Sequence, residues 1–161
     1  FVSYRFGTIA GVSKGMRFHT AINKFCFNAS LGKPLPIWKT MNNKHRPYLS
    51  LKDSFRVFKY TIENNFFKNE TYNILSENIK LKQIINYFKK YKKKIKIKIV
   101  KSKLVNQYSY KVSNKKFTSE AIPLKSKIQS DIKSTLKILK NINNEELKKY
   151  INKNFIYILC F

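Results

Sequence analysis

The ten residues Lys44–Asp53, KHRPYLSLKD, decide how this chain is read. Its four arginines (Arg5, Arg17, Arg46 and Arg56) all fall in the first 56 of 161 residues, and every other base is lysine. Arg46 stands directly before Pro47, and the residue before a proline is pushed out of the helical region into an extended conformation. Ser50, followed three residues on by Asp53, has the spacing of a capping box with Asp in place of Glu. Beyond it, Leu51, Phe55, Phe58 and Ile62 predict an amphipathic helix to about Asn64 that buries this stripe. The decapeptide therefore predicts an extended arm running into a helix N-terminus, with an arginine just upstream. Such a place suits an anion. The plainer alternative is a surface arginine before a turn proline.

Upstream, FVSYRFGTIAG (1–11) is β-rich without clean alternation, as in a strand covered on both faces. A glycine-containing loop, GVSKGMRF, leads to a helix over 19–32, with Ile22, Phe25, Cys26 and Ala29 on one stripe and Gly32 as its stop. KPLPIWK (33–39) predicts a short strand, confined by Pro34 and Pro36 to an edge or a strand start. Downstream, TYNIL (71–75) predicts a strand. Residues 79–93 predict a helix with Leu81, Ile84, Ile85 and Phe88 inward. KIKIKIV (94–100) predicts a half-exposed strand with its lysines outward. NQYSYKVS (106–113) predicts an extended segment, with Ser113 capping a short helix through Phe117. Ile128, Ile132, Leu136 and Leu139 mark another helix, and 144–154 a last one. Strands alternating with helices make an α/β chain. Neither GxGxxG nor a P-loop is present, so the usual phosphate cradle is absent from the sequence.

Net charge is +26, from 34 Lys+Arg against 8 Asp+Glu. That balance admits a polyanion partner. Lysine spread along the chain instead of arginine forks favours solvated faces, and the YKKKIKIKIVK run reads the same way. Aromatics at mostly core-facing positions argue against a nucleic-acid module, so nucleic acid is not expected as a partner. Cys26 and Cys160 are far apart with no metal-type spacing, which fits a reducing, cytoplasmic setting. FIYILCF is too short to span a bilayer. His19 and His45 form no dyad by spacing, and the carboxylates show no catalytic pair.

The ordered series RFGTIAG, GMRFHTAINKF, GKPLPIW, RPYLSLKD and YNILSENIKLKQIINYFKK resembles the C-terminal half of extended short-chain dehydrogenase/reductases, the NAD-dependent epimerase/dehydratase family acting on nucleotide sugars. The resemblance covers roughly residues 3–140. It implies the C-terminal part of a Rossmann-like fold with a small α/β substrate-binding subdomain. Residues 1–12 would close the dinucleotide-binding sheet, 13–140 would bind substrate, and 141–161 would form a helical tail. The catalytic Tyr-x-x-x-Lys pair and most of the NAD site would lie in an N-terminal half outside these residues. This segment alone would hold no catalytic residue and be inactive, and the longer protein would form a homodimer.

Carried across by motif, the resemblance implies that Gly7 touches the nicotinamide side and Thr8 stands near the sugar. Asn23, with Lys24 beside it, would bind the nucleotide sugar. Pro36, Ile37 and Trp38 would lie against the base through their backbone. Arg46 would contact the diphosphate, with Asp53 structural. The sequence departs from the family at His19 and at Ser50. A second family arginine has no counterpart; NQYSY occupies roughly its region, and Lys101 or Lys103 could supply a charge instead. A family member that has lost catalysis and serves as a scaffold remains an alternative reading, as does the nucleic-acid module.

Overall fold

The structure is a computed structural model that describes residues 1–38, 43–92, 94–100 and 108–140. The opening β-rich stretch forms two strands, β1 (Val2–Phe6) and β2 (Thr8–Ala10), with Gly7 between them. β1 pairs in parallel with β5 (Glu70–Ile74), and β2 pairs in parallel with β4 (His45–Ser50). On its other side β4 meets β6 (Glu77–Lys80) antiparallel. The predicted arm is thus the central strand of a three-stranded sheet, its backbone bonded on both sides.

Gly7 is where this join is tightest. A Cβ there would lie 3.0 Å from the carbonyl oxygen of Pro47. Its amide donates to Ile74 O at 2.9 Å, so one residue hands the chain from β5 to β4.

Helix α1 (Ala21–Ser30) buries Ile22, Phe25, Cys26 and Ala29, the stripe read from the sequence. It packs on β3 (Leu35–Trp38) and on α5 (Ile128–Leu139). β3 pairs only with β7 (Ile97–Val100) among the described residues, as suits a strand that contains Pro36 and follows Pro34. Helix α3 (Leu81–Tyr91) buries Ile84, Ile85 and Phe88. The strand before it, β6, was not legible, because ENIK has no apolar alternation. The short helix α4 (Lys115–Glu120) buries Phe117. Ser113 Oγ accepts from Lys115 N–H at 3.3 Å, one residue upstream of the cap position at Asn114.

Two apolar cores lie on opposite faces of β4, as alternation along a strand requires. Tyr48 joins the core of α1, α3 and α5, while Leu49 joins one built from Val57, Phe66, Tyr72, Ile74 and Phe117.

The structure corrects three expectations. Helix α2 (Leu51–Glu63) buries Asp53, Ser54, Val57 and Thr61, whereas Phe55, Phe58 and Ile62 are 67%, 49% and 74% exposed. Periodicity identifies an apolar stripe but not the body it faces. No side-chain hydrogen bond caps α2 at Ser50, so the capping-box spacing is not used. Asp53 instead accepts from Ser76 and Ser126, which come from distant parts of the chain. Finally, Ile97 and Ile99 of β7 are exposed along with Lys96 and Lys98, so that strand has no covered face. The predicted helix at 144–154, the tail 141–161, Cys160 and the charges at Lys101 and Lys103 fall outside the described residues.

Candidate functional site

Arg46 is the second residue of β4, with Ile79 opposite it on β6. Its guanidinium lies over the ring of Tyr110, 4.7 Å from the centroid. Tyr110 is held there by backbone: its N–H donates to His45 O at 3.4 Å, and His45 N–H donates to Ser109 Oγ at 3.0 Å. Further along, Asn78 grips Val112 twice, donating to its carbonyl at 2.9 Å and accepting from its amide at 3.0 Å. The 108–112 segment is thereby strapped along β4 and β6. Among the described residues no carboxylate forms a salt bridge with Arg46. A guanidinium over a ring is held by its charge on the ring face and still has five N–H donors to offer a planar anion.

The local field is positive. His45 is pulled below the ordinary histidine range by partial desolvation and then by the charges of Lys111 and Lys80. Burial pushes the Tyr48 hydroxyl up to about 12, against the lowering charge of Arg46. Of the two shifts only the lesser causes, Lys111 and Lys80 on His45 and Arg46 on Tyr48, reflect nearby positive charge; burial dominates both.

Gly7 and Thr8 stand next to this arginine. Thr8 pairs with Tyr48, two residues beyond Arg46, and is exposed. The absence of a side chain at Gly7 is accounted for by the Pro47 carbonyl, a reason internal to the chain.

Asn23 lies at the third position of α1, buried, with its amide donating to Arg17 O at 3.2 Å. Its Oδ1 is buried without a hydrogen-bond partner. Lys24 beside it is exposed. Arg46 and Tyr48 share one face of β4, and Tyr48 packs in the same core as Ile22 and Phe25. Arg46 and α1 therefore lie on the same side of the sheet, although no hydrogen bond joins Arg46 to Asn23 among the described residues.

Pro36, Ile37 and Trp38 lie on the separate β3–β7 pair. Ile37 spends its side chain in the core, which leaves only backbone for a ligand. The side chain of Trp38 is outside the description. Sequence reasoning missed Tyr110 as a partner of Arg46, although the NQYSY segment stands where a second arginine is expected. Among the described residues no helix is long and apolar enough to cross a membrane, and no group of three metal-ligand side chains occurs.

No protein-family model and no curated protein matches the sequence. Solved structures do. The chain superposes on UDP-glucuronic acid 4-epimerase of Bacillus cereus, solved with UDP-glucuronic acid and NAD, with a TM-score of 0.75. Identity is 19%, over 88% of this chain and 46% of that one. It superposes on dTDP-glucose 4,6-dehydratase of Bacillus anthracis, solved with NAD, with a TM-score of 0.69 at 19% identity, over 90% and 45%. An epimerase of Methanothermobacter thermautotrophicus gives a TM-score of 0.74 at 14% identity, over 91% and 44%. The chain spans about half the length of the solved structures it matches. At these identities the likeness is one of fold, and the fold is that of the C-terminal portion of NAD-dependent nucleotide-sugar epimerases and dehydratases.

Proposed function

We propose that this chain is the substrate-binding segment of an NAD-dependent nucleotide-sugar epimerase or dehydratase, with Arg46 gripping the diphosphate. The observation that carries the reading is Arg46 itself. It sits on a central strand two residues before the partner of Thr8, lies over the ring of Tyr110, has Lys111 and Lys80 close to the neighbouring His45, and has no carboxylate in a salt bridge with it among the described residues. A diphosphate offers the matching planar oxygens. Thr8 would face the sugar, Asn23 and Lys24 would hold the nucleotide sugar from α1, and the backbone of Pro36, Ile37 and Trp38 would flank the base. In place of a second arginine, Tyr110 orients the first. NAD, when bound, supplies reversible hydride transfer. The glycine-rich turn is absent from this sequence, so most of its cradle would come from elsewhere, with Gly7 on the nicotinamide side. That role falls to another part of a longer, homodimeric, cytoplasmic protein.

The test is calorimetric titration of the full polypeptide containing this chain with UDP- and dTDP-sugars. Arg46→Ala is expected to weaken binding about 10- to 100-fold, the loss of one or two charged hydrogen bonds. Tyr110→Ala should weaken it severalfold, with Tyr110→Phe close to wild type, because the ring and not the hydroxyl meets the guanidinium. Unchanged affinity in Arg46→Ala would remove the reading.

One observation favours a second reading. Tyr108 and Tyr110 are exposed beside Lys111, Lys80 and Arg46, which is the interleaving of rings and bases that single-stranded nucleic acid uses. Binding of poly(U) that falls steeply with added salt, and is lost in Tyr108→Ala/Tyr110→Ala, would support it over the sugar nucleotide.

A further inference from the structure

The β3–β7 pair has two unlike edges. Leu35 N–H donates to Lys96 O at 2.8 Å across the pair. Successive residues of a strand turn their amide and carbonyl to opposite sides, so Leu35 and Ile37 bond toward β7 while Pro36 points to the outer edge of β3. Pro36 has no N–H to offer there, and that edge is blunted. By the same alternation Lys96 and Lys98 bond toward β3, and the amides and carbonyls of Ile97 and Ile99 point to the outer edge of β7. No strand lies against that edge among the described residues. Both faces of β7 are bare as well. Lys96 and Lys98 are exposed on one, and Ile97 and Ile99 are exposed on the other, the face they share with the buried Leu35 and Ile37.

The positive charge along this edge has no counterpart in the chain. The sequence holds no Asp or Glu from Asn78 to Ser119. Lys94, Lys96 and Lys98 enter no salt bridge among the described residues. A second copy is a poor occupant. The same strand laid against itself sets lysine opposite lysine or, one residue out of register, lysine against isoleucine. Nor do these residues contain a complement, since their carboxylates are scattered singly apart from Glu145 and Glu146.

We infer that the outer edge of β7 is a docking site for an extended segment of another protein in which acidic and apolar residues alternate. Such a strand adds to the sheet through main-chain hydrogen bonds to Ile97 and Ile99. Its carboxylates come opposite Lys96 and Lys98 on one face. Its apolar side chains cover Ile97 and Ile99 on the other, because both strands have a period of two. The lysines keep the edge from pairing with its own copy and select the partner by the same charge. This inference is independent of what Arg46 binds.

The experiment uses the full polypeptide containing this chain and end-capped peptides of about eight residues. One alternates Glu and Val, one carries the same residues in two blocks, and one alternates Lys and Val. Fluorescence anisotropy is expected to show binding of the alternating Glu–Val peptide, binding weaker by about tenfold or more for the two-block peptide, and none for the Lys–Val peptide. Hydrogen–deuterium exchange across 95–100 should slow by about tenfold or more when the Glu–Val peptide is bound, with α3 unchanged. Lys96→Glu/Lys98→Glu should exchange the preferences, losing the Glu–Val peptide and gaining the Lys–Val one. Ile99→Pro removes one outward amide, leaves the bonds to β3 in place, and should weaken binding by about tenfold or more with the melting transition retained. Equal binding of the alternating and two-block peptides would reduce the edge to a general attraction for negative charge and overturn the inference. So would binding that leaves exchange at 95–100 unchanged, or a charge-swapped variant that does not exchange its preference. Exchange at 95–100 that is already slow without peptide would mean that the edge is covered, by a second copy if the slowing grows with protein concentration, and the inference would fall.

Discussion

Replacing Asp53 with alanine is expected to lower the unfolding free energy of the chain by about 3–5 kcal/mol, the range for removing one partner from a buried ionic network. The carboxylate is fully buried, and four donors converge on it. Oδ1 accepts from Ser126 Oγ at 2.8 Å and from the Arg56 guanidinium at 3.1 Å. Oδ2 accepts from Ser76 Oγ at 2.7 Å and from Ser126 N–H at 3.1 Å. Ser76 Oγ in turn accepts from Ser50 N–H at 2.9 Å. One side chain thus ties the β4–α2 junction to the turn before β6 and to the segment leading into α5. It also sits in the first turn of α2, where a negative charge is favoured. Alanine would leave the serine hydroxyls and the Ser126 amide without their acceptor, and an unmet buried donor costs about 1–3 kcal/mol. Asparagine keeps the shape but turns an N–H₂ toward donors, so Asp53→Asn should fall between alanine and wild type. Urea unfolding measures this as a lower midpoint at unchanged slope. A midpoint shift worth less than about 1 kcal/mol would show that the network is not a structural hub.

The alternation of strands and helices was open to reading because β4, α1, α3 and α5 follow their periodic patterns. What escaped was anything decided by a partner distant in sequence. Ser50 and Asp53 have the spacing of a local cap, yet Asp53 is claimed by Ser76 and Ser126, and a local rule cannot see them. The stripe on α2 was correctly found and placed on the wrong side, because the pattern records that a face is apolar and not which body covers it. β6 was hidden by polar residues that pair with β4 through backbone alone. At the site, Arg46 stood out by its rarity and by the proline after it. Gly7 and Thr8 were brought beside it by the β2–β4 register. Tyr110 could not be linked to it, since the contact spans 64 positions and depends on the strap along β6.

Asp131→Asn is expected to stabilise the chain at neutral pH by up to about 3 kcal/mol, in proportion to a carboxyl held roughly two units above its ordinary value. Asp131 is buried on α5, and its carboxyl is pushed up to about 6. Burial is the main cause. The hydroxyl of Ser50 and the charge of Lys52 pull the other way, and Asp53 and Glu77 add repulsion. The buried Cys26 thiol on α1, also pushed up, feels the same carboxylate. Neither Oδ2 of Asp131 nor Oγ of Ser50 makes a well-formed hydrogen bond. An asparagine amide supplies the donor that Ser50 Oγ can accept and removes the charge that burial penalises. The sign follows from proton uptake. The folded state holds this proton up to about pH 6, while the unfolded chain releases it near pH 4. Between those values the folded state binds more protons at this carboxyl, so the contribution of Asp131 to stability falls as pH rises through the window and is level above it. The amide that replaces the carboxyl in the variant does not titrate. The difference between the two proteins should therefore grow from near zero at about pH 4 to its full size above about pH 6, which isolates Asp131 from His45 and Glu70. Paired urea titrations at about pH 4, 5, 6 and 7.5 are the measurement. A difference that is constant across the series, or a variant less stable than wild type at the highest pH, would mean that the carboxylate is better satisfied than its buried, unpartnered oxygen indicates.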